Sequence, residues 1–214
     1  MQAFDSLSRD IQQYIYDKGW PSLTNIQSAA IKQVANTDHN LILSAPTASG
    51  KTEAAFIPAL NSVEDWETGL KVLYVSPLKA LINDQFQRIS ELSEYLDIPI
   101  TRWHGEVSQT QKRKVVNQPK GILLITPESI EGMLVNRPGE AEHLFKGVEW
   151  IIIDELHSFL GTERGIHLQS LLQRISRFMQ APRFIAMSAT LNKKDFGYAK
   201  AFFGSPRHTD ILVD

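Results

Sequence analysis

The stretch Leu41-Ile42-Leu43-Ser44-Ala45-Pro46-Thr47-Ala48-Ser49-Gly50-Lys51-Thr52 decides the fold. Residues 41–44 form an apolar run, 45–50 are small, and a helical pattern starts at Lys51. Strand, tight turn and helix start in that order aim the N–H groups of the turn and of the first helical turn at one point, where an anion is held. Residues 45–52 match the phosphate-loop pattern, except that Ala45 stands where a first glycine is usual. Thr47, Ala48, Ser49 and Gly50 are then expected to wrap phosphates. Lys51 supplies a cation to the β- and γ-phosphates, and the Thr52 hydroxyl is placed to ligate Mg²⁺. ATP and Mg²⁺ are the expected cofactors. The plainer reading is a small-residue turn that merely opens a helix. The strand before it and the helix after it weigh against that.

Outward from this loop, short Val/Ile/Leu-rich runs recur at 71–75, 100–103, 121–125, 149–153 and 183–187, with a seventh candidate at 210–213. Apolar residues on consecutive positions predict strands covered on both faces. Helices are predicted over 8–18, 25–35, 51–63, 78–95, 129–135 and 164–179. In the last, Leu168, Leu171, Leu172 and Ile175 fall on one stripe. Alternating strand and helix imply right-handed crossovers and a mainly parallel α/β sheet of about seven strands with helices on both faces. Ligands of such sheets sit beyond the carboxyl ends of the strands.

Bulk properties set the limits. The 214 residues fit one large domain, and 43% hydrophobic content is enough for a substantial core. The net charge of -2 provides no global positive field, so any nucleic-acid contact must be local. The absence of cysteine excludes disulfides and thiolate zinc sites and fits a reducing cytoplasm. No apolar run approaches bilayer length, and the first residues lack a secretory pattern.

The polar residues after the strands carry the remaining chemistry. The run at 150–153 leads into Asp154-Glu155-Leu156-His157. An acid at the end of a buried strand is the Walker-B arrangement, in which Asp154 holds Mg²⁺ through its water shell. Glu155 then orients or deprotonates the attacking water. The competing reading is two acids opening a surface loop. His157 is either a relay to the next loop or a satisfied polar residue, and the second is the default for a lone histidine. Ser188 and Thr190 follow the strand at 183–187, either as turn residues or as a coupling segment beside the γ-phosphate.

Together these residues resemble the first RecA-like lobe of superfamily-2 DExH/DEAD-box helicases. The resemblance rests on segments 45–52, 76–81 (Ser-Pro-Leu-Lys-Ala-Leu), 126–129 (Thr-Pro-Glu-Ser), 154–157 and 188–190, in the family's order across nearly the whole chain. Segments 102–105 and 163–168 are most similar to Lhr-like helicases. The resemblance implies a helicase-type ATP hydrolase whose lobe couples Mg-ATP hydrolysis to movement on DNA or RNA, with DNA slightly favoured. Residues 1–35 would form an N-terminal helical segment carrying a Q-motif-like region, and residues 36–214 the RecA-like lobe. A second RecA-like lobe, expected outside this chain, would complete the ATP site, so the isolated lobe is expected to turn over weakly. Gln27 would read the adenine edge and Phe4 would cover the ring, although Pro21 comes earlier than the family's proline. Pro77, Lys79, Asn83, Gly105, Thr126 and Ser129 would contact the nucleic-acid backbone, which gives affinity without sequence reading. Trp103 is expected in the core, and Lys112, Arg113 and Lys114 on a solvated helix face. The alternatives are a nucleotide-responsive nucleic-acid-binding module without unwinding activity, and a small-molecule kinase. Segments 126–129 and 188–190 have no role in the latter.

Overall fold

The computed structural model describes residues 2–214, so Met1 of the N-terminal segment lies outside the described residues. The chain runs α1 (Arg9–Asp17), α2 (Asn25–Asn36), β1 (Asn40–Ser44), α3 (Lys51–Ser62), β2 (Gly69–Val75), α4 (Lys79–Tyr95), β3 (Ile100–Trp103), α5 (Gln109–Asn117), β4 (Lys120–Ile125), α6 (Pro127–Asn136), α7 (Pro138–Phe145), β5 (Trp150–Ile153), α8 (Glu163–Ser176), β6 (Arg183–Ser188), α9 (Phe196–Ala201) and β7 (Thr209–Val213). The strands form one sheet in the order β3-β4-β2-β5-β6-β1-β7. Every pairing is parallel.

Period-two alternation divides the strand side chains between two cores. Leu41, Leu43, Val72, Tyr74, Ile122, Leu124, Trp150, Ile152, Ile185 and Met187 join α1 to α4 on one face. Ile42, Leu73, Val75, Leu123, Ile125, Ile151, Ile153, Phe184 and Ala186 join α6 to α9 on the other. This double coverage explains the unbroken apolar runs. The stripe of α8 is buried as expected, with Leu168, Leu171, Leu172 and Ile175 all inaccessible. Helices α1 and α2 share a core with the sheet through Ile11, Ile15, Ile26 and Ile31.

Local chemistry sets the helix ends. Gly19, just past α1, takes φ +64, the left-handed turn expected at a helix C-terminus. Thr24 and Gln27 form a capping box at the start of α2. Two helices, α7 and α9, were not expected from sequence, and α5 was expected only as a solvated face at Lys112, Arg113 and Lys114. Helix α5 buries none of its residues, so it carries no apolar stripe to read. Helix α7 opens on Pro138-Gly139, which resembles a break but supplies a proline at the first helical turn. Helix α9 has only 6 residues. Among the described residues, no helix is long and apolar enough to cross a membrane.

Candidate nucleotide site and nucleic-acid face

Parallel strands bring all their carboxyl ends to one edge, and the strand order selects which loops meet there. Strand β6 lies between β1 and β5. The loop at 45–50, the acids at 154–155 and the 188–190 segment are therefore neighbours. Ser44 pairs with Ser188, and Ile153 with Ala186.

The phosphate loop is curled by left-handed residues. Ala48 has φ +63 and Gly50 φ +83. The left-handed backbone at Gly50 favours glycine, and a Cβ there would lie 2.5 Å from Gln27 Nε2, so that side chain would have to shift. The Lys51 ammonium donates to the carbonyls of Ala45 and Pro46, which draws it across the loop mouth. Burial lowers the Lys51 pKa, Glu155 and Asp154 oppose that, and Arg88 adds to it. The Ser49 hydroxyl is buried without a partner among the described residues. A curled backbone, an inward-held ammonium and an unpaired buried hydroxyl suit a phosphate group, and the buried Thr52 and Asp154 supply oxygen donors of the kind Mg²⁺ takes.

Gln27 is buried rather than solvated. Its Oε1 accepts from Thr24 N at 2.9 Å, and its Nε2 donates to the Gly50 carbonyl at 3.4 Å. The Nε2 end thus ties α2 to the phosphate loop, while the Oε1 end closes the cap of α2 itself. Phe4 lies with Trp20, Pro21 and Leu23 around a cavity of about 540 Å³.

Asp154, directly after β5, carries a buried carboxylate. It accepts a hydrogen bond from the Tyr74 hydroxyl and another from Glu155 N at 2.9 Å. Burial raises its pKa, the Tyr74 bond opposes this, and the neighbouring Glu155 charge adds to the rise. Tyr74 is itself pushed well up, by burial and then by Asp154, so it stays a proton donor. Glu155 sits in the left-handed region at φ +50, a strained conformation for a non-glycine residue. His157 Nδ1 lies 3.2 Å from Glu155 Oε2 and 3.3 Å from Ser188 Oγ, and Ser188 Oγ donates to the Thr190 carbonyl at 2.7 Å. His157 therefore bridges the acid pair and the 188–190 segment. Sequence reasoning passed over Tyr74, because a tyrosine inside a buried strand reads as core.

The remaining candidates line the same edge. Pro77 is buried, while Lys79 at the start of α4 is exposed and paired with Glu106. Asn83 accepts from Arg102 at 2.8 Å, and Gly105 is exposed. Thr126 caps α6, its hydroxyl 3.0 Å from that of Ser129. Arg164 joins two of these segments, donating to the Pro77 carbonyl and to Glu128 at 2.6 Å. Its role carried no signal beyond the 163–168 segment. Trp103 is buried as expected. Lys112 on α5 reaches to 5.7 Å over its ring, and Arg113 and Lys114 share that helix, which buries no residue.

Fold and site define a phosphate-loop nucleotide-binding domain of the RecA-like class. Residues 24–196 match the family model described as DEAD/DEAH box helicase, and the chain belongs to that family. It is 30% identical over 209 residues to the ATP-dependent helicase Lhr-Core of Methanocaldococcus jannaschii, covering 89% of this chain and 24% of that protein. It is 32% identical over 236 residues to the ATP-dependent helicase Lhr-Core protein 2 of Thermococcus barophilus, covering 100% of this chain and 27% of that one. The chain thus spans about a quarter of the length of these relatives. The structure of Mycobacterium smegmatis helicase Lhr bound to ssDNA and AMP-PNP superposes with a TM-score of 0.87 at 27% identity, covering 100% of this chain and 28% of that one.

Proposed function

We propose that this chain is the ATP-binding lobe of a helicase or translocase that couples Mg-ATP hydrolysis to movement along nucleic acid. The observation that carries the proposal is the meeting of the phosphate loop, the Asp154–Glu155 pair and Ser188 at one sheet edge, with His157 joining Glu155 to Ser188. Thr47 to Thr52 hold the phosphates, with the Lys51 ammonium swinging from its own loop carbonyls to the β- and γ-oxygens. When bound, Mg²⁺ neutralises charge on those oxygens. Thr52 and Asp154 are the residues that would hold it. Glu155 orients the attacking water and takes its proton. His157, Ser188 and Thr190 transmit the state of that site to the neighbouring loops. Adenine lies beside α2, near Phe4 and Gln27.

Nucleic acid lies across the loops after β2, β3 and β4, contacted through its backbone by Pro77, Lys79, Asn83, Gly105, Thr126 and Ser129. A solved relative bound to ssDNA supports DNA as the first substrate to test. Residues 1–35 serve as the adenine-side segment and 36–214 as the lobe proper. A second RecA-like lobe, from the rest of the polypeptide or another chain, completes the site. A cytoplasmic setting belongs to the same proposal, and the cysteine-free sequence is compatible with it.

The test is Mg-ATP binding and turnover with and without single-stranded DNA and RNA. Lys51→Ala is expected to weaken triphosphate binding by at least about 10-fold, the loss of one charge-assisted contact. Glu155→Gln is expected to bind normally and hydrolyse nothing. Equal ATP affinity in wild type and Lys51→Ala would refute the phosphate-loop assignment. Binding without turnover, even with the second lobe supplied, would leave a nucleotide-responsive binding module.

A further inference from the structure

The amino ends of β1 and β7, at the sheet edge away from the nucleotide loops, bring two imidazoles and a carboxylate together. The strands are parallel, with Asn40 beside Thr209 and Leu41 beside Asp210. One step back in that register, His39 stands beside His208. Positions two apart on a strand share a face, so His208 and Asp210 project together. His39 Nδ1 lies 2.7 Å from one oxygen of Asp210, and His208 Nε2 lies 3.2 Å from the other. All three donor atoms fall within 4.8 Å of one another.

We propose that His39, His208 and Asp210 form a zinc site that staples the edge strand β7 to β1. Zn²⁺ bonds of about 2.0–2.1 Å place tetrahedral donors roughly 3.3 Å apart, so small side-chain rotations suffice. Two imidazoles and one carboxylate select a borderline transition metal over Mg²⁺ or Ca²⁺. His208 is the most open of the three, with 59% of its side chain exposed, which leaves the fourth position to water. The supporting shell is already present. Gln33 of α2 donates to Asp210 Oδ2 at 2.6 Å, and Arg183 donates to the His39 carbonyl at 3.0 Å. Such outer contacts orient ligands and raise affinity. The simpler account is a pair of histidine–carboxylate hydrogen bonds with no ion.

Untagged protein is titrated with Zn²⁺ alone against a chromophoric chelator, with Mg-ADP in excess over the nucleotide site. Co²⁺ absorption then reports the geometry. We expect one equivalent bound and a tetrahedral Co²⁺ spectrum. Zn²⁺ is also expected to raise the melting temperature of wild type but not of His208→Ala. Gln33→Leu weakens binding by about 10-fold, and His208→Ala or Asp210→Asn by more than about 100-fold, beyond what an outer-shell change costs. His208 is exposed enough for its removal to spare the fold. No saturable Zn²⁺ binding by wild type, or equal affinity in the His208→Ala and Asp210→Asn variants, would overturn the proposal.

Discussion

At the residue scale, the site works against its own burial. Asp154 must be ionised to serve a metal, yet its environment raises its pKa, through burial first. A carboxylate whose folded pKa is raised costs stability above that pKa; the cost fades as pH falls through it and is gone below the ordinary carboxylate value. Asp154→Asn should therefore melt higher than wild type at neutral pH, by roughly 2–4 °C for each 1 kcal/mol regained. That gain should shrink toward zero in the acid range. A gain independent of pH would contradict this account. Tyr74 is the counterweight, since its donated hydrogen bond favours the ionised form. Tyr74→Phe should shift the acid limb of Mg-ATP binding to higher pH, and an unmoved limb would show that the hydrogen bond is incidental.

At the element scale, the strands were legible because both faces of the sheet are covered, so each core strand is apolar throughout. The helices α7 and α9 were not, and α5 showed only as a charged face, since a solvated, proline-opened or two-turn helix carries no stripe. The phosphate loop and the acids were legible for a different reason. Their residue types are dictated by backbone approach and charge, and they follow strands. Partners contributed across space were hidden: Tyr74 belongs to β2 and Asp154 follows β5, and nothing in their separation of 80 positions links them. Close approach of elements gives two tests. A Cβ at Gly165 would lie 1.9 Å from the Phe159 carbonyl, so Gly165→Ala should cost about 1–3 kcal/mol in urea unfolding. Gly50→Ala should cost about 1 kcal/mol from its left-handed backbone and also push Gln27 off the loop, weakening ATP. Wild-type stability in Gly165→Ala, or wild-type ATP affinity in Gly50→Ala, would mean that these segments reshape freely.

At the scale of the whole molecule, a net charge of -2 means that nucleic-acid affinity depends on a few well-placed groups. Lys79 is held by Glu106 across the loops after β2 and β3. Glu106→Gln frees that cation and should tighten single-stranded DNA binding by up to about 5-fold, the range of an exposed pair. The salt dependence should steepen by up to about 0.7 in slope. An unchanged slope would place Lys79 off the backbone path. Arg164 acts over a longer span, because one guanidinium holds both the Pro77 carbonyl and Glu128. On the proposed function it would work as a gauge bar, keeping two footholds for the strand at a constant stride. Arg164→Lys keeps the charge but gives up the two-ended grip, and ATP affinity should stay as it is while DNA dissociates faster. A molecular track whose footholds drift apart still burns fuel, but it slips.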